Sequence, residues 1–177
     1  MLKDRVRLPV RVLFVGINPG VRSAATGHHF AGYSNRFWRL LYESRLVSEP
    51  IGHEDDRRLP DWGLGITNLV ARATPGIDTL MPEEWIEGAV GLRRKVRRWK
   101  PEIVAFVGVM LYRSLFGVPP RTPIKLGLQK ERFEGSRVFV LPNPSGRNAN
   151  FSYAEMLASF RALNRLSTSR PTALRDT

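Results

Sequence analysis

Four short apolar runs, each continuous rather than alternating, limit the architecture of this chain more than any other feature. Val12-Leu13-Phe14-Val15, Gly65-Ile66-Thr67-Asn68-Leu69-Val70, Ile103-Val104-Ala105-Phe106-Val107 and Val138-Phe139-Val140-Leu141 read as strands buried on both faces. Helical periodicity fills the intervals between them. Trp85, Ala89, Leu92, Val96 and Trp99 recur at i, i+4, i+7, i+11 and i+14 before Pro101 stops the run. A second helix is expected from Ser34 or Asn35 to Leu46. A third starts at Ser152, where Glu155 completes a capping box and Tyr153, Met156, Leu157, Phe160 and Leu163 form one apolar stripe. Strands alternating with helices predict an α/β three-layer sandwich, with a mainly parallel central sheet flanked by helices. Residues 1–166 read as a single domain, and the polar stretch that opens with Ser167-Thr168-Ser169-Arg170-Pro171 reads as a flexible tail, 167–177.

Composition narrows the chemistry. With no cysteine among 177 residues, disulfides, thiolate zinc sites and a thiol nucleophile are excluded. No run approaches the length of a membrane span and the first residues lack a secretory apolar stretch, so a cytoplasmic location is expected; a monomer without membrane association is the accompanying expectation. The formal charge of +12 favours a polyanionic partner, although a solvated basic surface would give the same number. On the helix around Trp85, Glu83, Glu84 and Glu87 near the start and Arg93, Arg94, Lys95, Arg97 and Arg98 near the end complement the macrodipole, and the basic end reads as a solvated face. His28 and His29 are adjacent and ill placed to share one metal, and His53-Glu54-Asp55-Asp56 reads as an exposed acidic loop. No metal or cofactor is expected, and no dinucleotide fingerprint or phosphate-binding lysine loop is present.

In sheets of this kind ligands bind where loops leave the carboxyl ends of the strands. Two such loops share a pattern: Gly16-Ile17-Asn18-Pro19-Gly20 follows the first strand, and Pro142-Asn143-Pro144-Ser145-Gly146 follows the fourth. Proline fixes its own φ and restricts the residue before it, so Asn18 and Asn143 are held in rigid turns. Each side chain offers one acceptor and two donors, enough to hold a water or read a base edge. Asn-Pro-Gly is also simply a good turn, and either loop alone carries little.

A third segment, Gly27-His28-His29-Phe30-Ala31-Gly32-Tyr33-Ser34-Asn35-Arg36-Phe37-Trp38, adds specificity. Taken with the two loops, with Gly65 to Val70 and with Thr74-Pro75-Gly76, it resembles the mismatch-specific uracil/thymine-DNA glycosylases of the uracil-DNA glycosylase superfamily, in order from about Arg11 to Phe160. The resemblance implies a monofunctional, metal-free enzyme that acts on double-stranded DNA with mismatched or damaged pyrimidines. It would flip uracil, and with it thymine, ethenocytosine or 5-substituted uracils, out of the duplex and hydrolyse the N-glycosidic bond. Asn18 would position the attacking water. Gly16, Ile17, Gly20, Ser23, Phe30 and Asn35 would surround the base, with Phe30 stacked on it, and Asn68 stands where the family carries a basic or polar residue. Asn143, Pro144, Ser145, Gly146, Arg147, Asn148 and Asn150 would enter the minor groove.

Several readings stay open in the residues themselves. Asp78 is a candidate supporting base and equally a helix cap or solvated acid. Arg147 stands where some relatives carry leucine, and can fill the vacated stack or bind a phosphate. Phe30 beside glycine would ordinarily be core. Small Ala24 and Ala25 suggest room at the pyrimidine 5-position and hence relaxed specificity. Because Asn18 cannot take a proton, a non-catalytic sensor of distorted or mismatched DNA is the alternative function, and a hydrolase of free nucleotides a third.

Overall fold

A computed structural model describes residues 2–169. Its centre is a five-stranded sheet built from β1 (Val12–Gly16), β2 (Leu64–Asn68), β3 (Ile103–Val107), β4 (Gly127–Phe133) and β5 (Ser136–Leu141), in the order β2-β1-β3-β5-β4. The four strands expected from the apolar runs pair in parallel, with Val12 opposite both Leu64 and Ile103, and Ile103 opposite Arg137. β4 joins antiparallel to β5 and was not expected, because its residues Gly-Leu-Gln-Lys-Glu-Arg-Phe are mostly outside the core. Charged side chains suit such an edge, since they discourage further pairing. At the opposite edge Arg5 exchanges two 3.0 Å backbone hydrogen bonds with Ile66, which lays the N-terminal segment along β2.

Alternation along the strands sends side chains to two separate cores. Val12, Phe14, Ile66, Ile103, Ala105, Phe139 and Leu141 face α2 (Phe37–Glu43) and α5 (Tyr153–Thr168). Leu13, Val15, Val104, Phe106, Val138 and Val140 face α3 (Pro82–Trp99) and α4 (Val109–Phe116). The result is the three-layer sandwich of the sequence reading. Phe14 meets Phe37 edge-on at 5.2 Å, and Phe37 meets Phe160 at 6.1 Å. Each fully buried aromatic of this kind contributes about 1.5–3 kcal/mol by leaving water.

Helix limits follow local chemistry. Ser152 accepts from the Glu155 amide and Glu155 accepts from the Ser152 amide, so α5 opens with the expected capping box. It continues to Thr168 with Ser167 buried, so the expected tail begins inside the helix, and its residues 170–177 lie outside the described residues. α2 is shorter than expected at both ends. Gly32–Arg36 is used as a loop, with the Arg36 amide donating to the Pro144 carbonyl at 2.9 Å, and Arg45 ends the helix in the left-handed region.

The stretch expected as an exposed acidic loop is instead a 3₁₀ helix, His53–Trp62, in which Asp56 is fully buried. Asp56 faces the Arg5 guanidinium at 3.0 Å, His28 Nδ1 at 3.2 Å and the His29 amide at 3.1 Å. A buried carboxylate is tolerable only with such partners. Periodicity could not show this, because the partners come from two distant segments.

Candidate active site

The carboxyl ends of β1, β3 and β5 open onto one cavity of about 540 Å³, within the size range of sites for small molecules. Asn18, Gly16, Ile17, Gly20, Ser23, Phe30, Asn35 and Asn68 line it, and so do Asn143, Ser145, Arg147, Asn148 and Asn150. The sheet order explains the convergence. β2 and β3 lie on either side of β1, so the connections diverge and leave a crevice at the strand ends.

Asn18 is fixed by partners that are remote in sequence. Its Nδ2 donates to the Arg72 carbonyl at 2.9 Å and to Thr74 Oγ1 at 2.7 Å. A carbonyl only accepts, so the amide orientation is determined: both Nδ2 hydrogens are engaged, and Oδ1 remains as an unused acceptor. Thr74 is buried, donates its hydroxyl to the Gly76 carbonyl at 2.7 Å and its backbone amide to the Pro19 carbonyl at 3.1 Å. The amides of Leu69 and Val70 donate to the Gly16 and Ile17 carbonyls, extending the β1–β2 pairing into the turn. The loop after β2 therefore splints the first asparagine loop.

Phe30 stands in the cavity wall with φ of 50°, a left-handed conformation that a bulky residue adopts only when its surroundings enforce it. The enforcement is visible. Ser23 Oγ accepts the Ala31 amide at 3.1 Å, Arg22 donates to the Ala31 carbonyl at 2.6 Å, and Asp56 holds the His29 amide on the other side. The ring stacks on Phe37 at 4.2 Å and 23°, so the core supports it from behind. His29 is 2% exposed with Nε2 2.9 Å from the Lys3 carbonyl. Burial pushes its pKa down, so the neutral ring donates from Nε2.

Each asparagine loop packs closely on a different neighbouring segment. A Cβ on Gly16 would sit 2.6 Å from Asn68 Oδ1, and one on Gly146 would sit 2.5 Å from Ser34 Cβ and 2.7 Å from the Ser34 carbonyl oxygen. At Gly146 close approach to the Ser34 backbone demands glycine, whereas at Gly16 a side chain would push the Asn68 amide aside. Pro144 is buried and Gly146 rests on Ser34, so these two shape the second loop without lining the cavity. Asn35 spends Oδ1 on the Phe37 amide at 2.9 Å, which leaves its amide nitrogen for the cavity. Arg147 is exposed at the rim.

Asp78 lies in a short 3₁₀ turn, Ile77–Thr79, is exposed, and packs over Gly76 without lining the cavity. Ala24 and Ala25 lie on the exposed side of α1 (Val21–Thr26), also outside the cavity, so they leave no room around a bound ring. Sequence reasoning missed Leu2, His29, Thr74 and the Val107-Gly108-Val109-Met110 corner, all of which line the cavity. His29 and Thr74 lay within the segments that carry the resemblance but were given no role, and the corner carried a signal of its own: β3 runs into glycine, and Gly108 takes φ of 108° and approaches Asn143.

Comparison with known proteins identifies the family and the fold. The profile of the family described as the uracil DNA glycosylase superfamily matches residues 4–165. The chain is 39% identical over 147 residues to the G/U mismatch-specific uracil DNA glycosylase of Schizosaccharomyces pombe, a match that covers 79% of this chain. It spans only 45% of the length of that curated relative. The fold is similar to the solution NMR structure of a Methanosarcina acetivorans protein provisionally described as a uracil DNA glycosylase, with a TM-score of 0.59 and 22% identity over 92% of this chain and 96% of that one.

Proposed function

The chain belongs to the uracil DNA glycosylase superfamily, and from that premise we propose that it excises uracil from U·G mismatches in duplex DNA by hydrolysing the bond between the base and its deoxyribose. One observation carries this reading: Asn18, doubly anchored through Nδ2 with Oδ1 left as a free acceptor, lines a cavity that it shares with Phe30 and with the Arg147 loop.

The base must leave the stack before it can be attacked, at a cost of a few kcal/mol that a mismatch reduces. Phe30, already stacked on Phe37, offers a flat face to an extruded pyrimidine. Asn18 Oδ1 accepts one hydrogen of a water and turns its lone pair toward C1′. As the C1′–N1 bond breaks, its electron pair departs on uracil N1 and the water oxygen bonds to C1′, releasing a proton to solvent. The polar backbone of the Gly16–Gly20 turn stabilises the charge developing on the base. An amide orients water without deprotonating it, so turnover is slow. Among the described residues no lysine lines the cavity, which favours hydrolysis over an amine-linked intermediate. Arg147, at the rim, is suited to fill the vacated stack or to hold a flanking phosphate.

Uracil is the primary substrate in this reading. Action on thymine, ethenocytosine or 5-substituted uracils loses the support expected from Ala24 and Ala25. Among the described residues no helix is long and apolar enough to cross a membrane, and a cytoplasmic monomer remains our expectation. The test is single-turnover incubation with labelled U·G duplex followed by alkali. Strand cleavage at the uracil is expected. Binding to the mismatch with no abasic site formed would leave only the sensor reading, and release of uracil from deoxyuridine but not from duplex would indicate a hydrolase of free nucleotides.

A further inference from the structure

The carbonyl that orients Asn18 belongs to a residue whose own side chain is bolted to another part of the fold. Arg72 Nε donates to Glu84 Oε1 at 2.7 Å, and Nη2 donates to Glu84 Oε2 at 2.8 Å and to the Thr79 carbonyl at 2.9 Å. Glu84 Oε2 in turn accepts the Met81 amide at 2.8 Å, which caps the first turn of α3. This two-pronged pairing is the arginine geometry that lysine cannot reproduce. The chain of contacts runs without a gap from the α3 N-terminus through Glu84 to the Arg72 guanidinium, and from the Arg72 carbonyl to Asn18 Nδ2.

Ordinary surface ion pairs contribute little to stability. Half of the Arg72 side chain is solvent-exposed, so the pair is poorly explained as a stabilising device. Its position is better explained by orientation, because Ala71 and Ala73 have no polar side chain and the fork alone adds side-chain hydrogen bonds to the backbone anchors at Val70 and Thr74. Without the fork, only the backbone anchors of Val70 and Thr74 on either side would hold the Arg72 carbonyl, and one of the two acceptors that fix the Asn18 amide would be less firmly placed.

We infer that Arg72 and Glu84 form a positioning clamp for Asn18, setting the rate of the chemical step without contacting DNA. The inference rests on the glycosylase reading for its kinetic consequence, but its structural core can be read in the free protein. Glu84 is held well below the usual carboxylate range, at about 2, by the Arg72 guanidinium first and the Met81 amide second, so the clamp stays charged throughout any practical assay.

Arg72→Lys and Glu84→Gln are the test variants, since the first keeps the charge without the fork and the second keeps the shape without the charge. In the free protein, the Asn18 side-chain amide signal in a ¹H–¹⁵N spectrum, assigned by its loss in Asn18→Ala, is expected to shift and to exchange faster in both variants. In single-turnover reactions on U·G duplex, the maximal rate is expected to fall roughly tenfold to a hundredfold, the range for a slightly misplaced reacting group. Affinity for the same duplex should stay within about twofold, with circular dichroism confirming that both variants are folded at the assay temperature. An unmoved Asn18 signal, wild-type rates in both variants, or a rate loss matched by an equal loss of DNA affinity would each overturn the clamp. If wild-type protein makes no abasic sites, the proposed function fails, and the amide signal still decides whether the clamp exists.

Discussion

Two loops in this protein share an Asn-Pro step and have very different support for its asparagine. Asn18 and Asn143 each precede proline at the end of a parallel strand, and both line the same cavity. Asn18 is half-buried, and its amide is tied to Arg72 and Thr74, more than fifty residues away. Asn143 is exposed, and its Oδ1 accepts only the amide of Ser145, two residues on, while its carbonyl accepts from Asn148 Nδ2. The second loop is docked through the Pro144 carbonyl and Gly146, but its asparagine side chain is used only in a local turn. The first is a side chain aimed by the tertiary structure. The difference teaches that the same Asn-Pro step yields a side chain fixed by distant partners or one bonded locally, according to what its amide meets in the fold.

The sharpest way to break the comparison is to remove each asparagine. For Asn18→Ala, excision is expected to fall roughly 10²–10³-fold, as for loss of one preorganised polar group in an active site, with duplex affinity within about threefold. Parallel loss of binding, measured by fluorescence anisotropy, would place Asn18 on the DNA instead. Gly146→Ala tests the contact between the second loop and Ser34. The added methyl must displace Ser34 or the loop, at about 1–3 kcal/mol, and a lower melting temperature with faster release of U·G duplex is expected.

Arg147→Ala should sharpen the contrast from the other side. Loss of one charged contact of about 1.5 kcal/mol weakens retention of mismatched duplex and abasic product roughly tenfold, while the maximal excision rate changes little. Unchanged product dissociation would argue against a role at the flipped site. Asn143→Ala removes one local hydrogen bond, so about 0.5–1.5 kcal/mol of stability and little of the rate should be lost. A rate loss comparable to that of Asn18→Ala would erase the distinction drawn here.

The smallest expected effect is one of pH, and it concerns the Phe30 side only. His29 has a folded pKa below its ordinary 6.5, so the unfolded chain binds more protons in the window between the two values. Stability therefore declines as pH falls below 6.5 and levels off below the folded pKa. Thermal melts at pH 7.5, 6.5 and 5.5 should show this decline, and His29→Gln should flatten it. An equal slope in both proteins would remove His29 as its source.

Much of this architecture was legible in the chain. The β3 run, Ile103 to Val107, is the observed strand, because a strand buried on both faces needs uninterrupted apolar residues, and Pro101 and Gly108 bound this run too tightly for a helix. The capping box at Ser152 was legible because both of its partners lie within four residues. β4 was not, since an edge strand needs no apolar pattern and takes its identity from pairing with β5. Asp56 misled for a related reason: a carboxylate among other acids reads as solvated until Arg5, His28 and His29 are folded around it.

The site divides along the same line. Its two loops and Phe30 were found from short motifs, whereas Thr74, Arg72 and Glu84 act on Asn18 across gaps that no local pattern spans. The sequence alone determined which segments become strands and helices and where rigid turns interrupt them, because apolar periodicity, proline and capping act within a few residues. Only the tertiary structure decided which way Asn18 points and what holds Phe30 in a left-handed conformation, because those outcomes depend on hydrogen-bond partners brought together from distant parts of the chain.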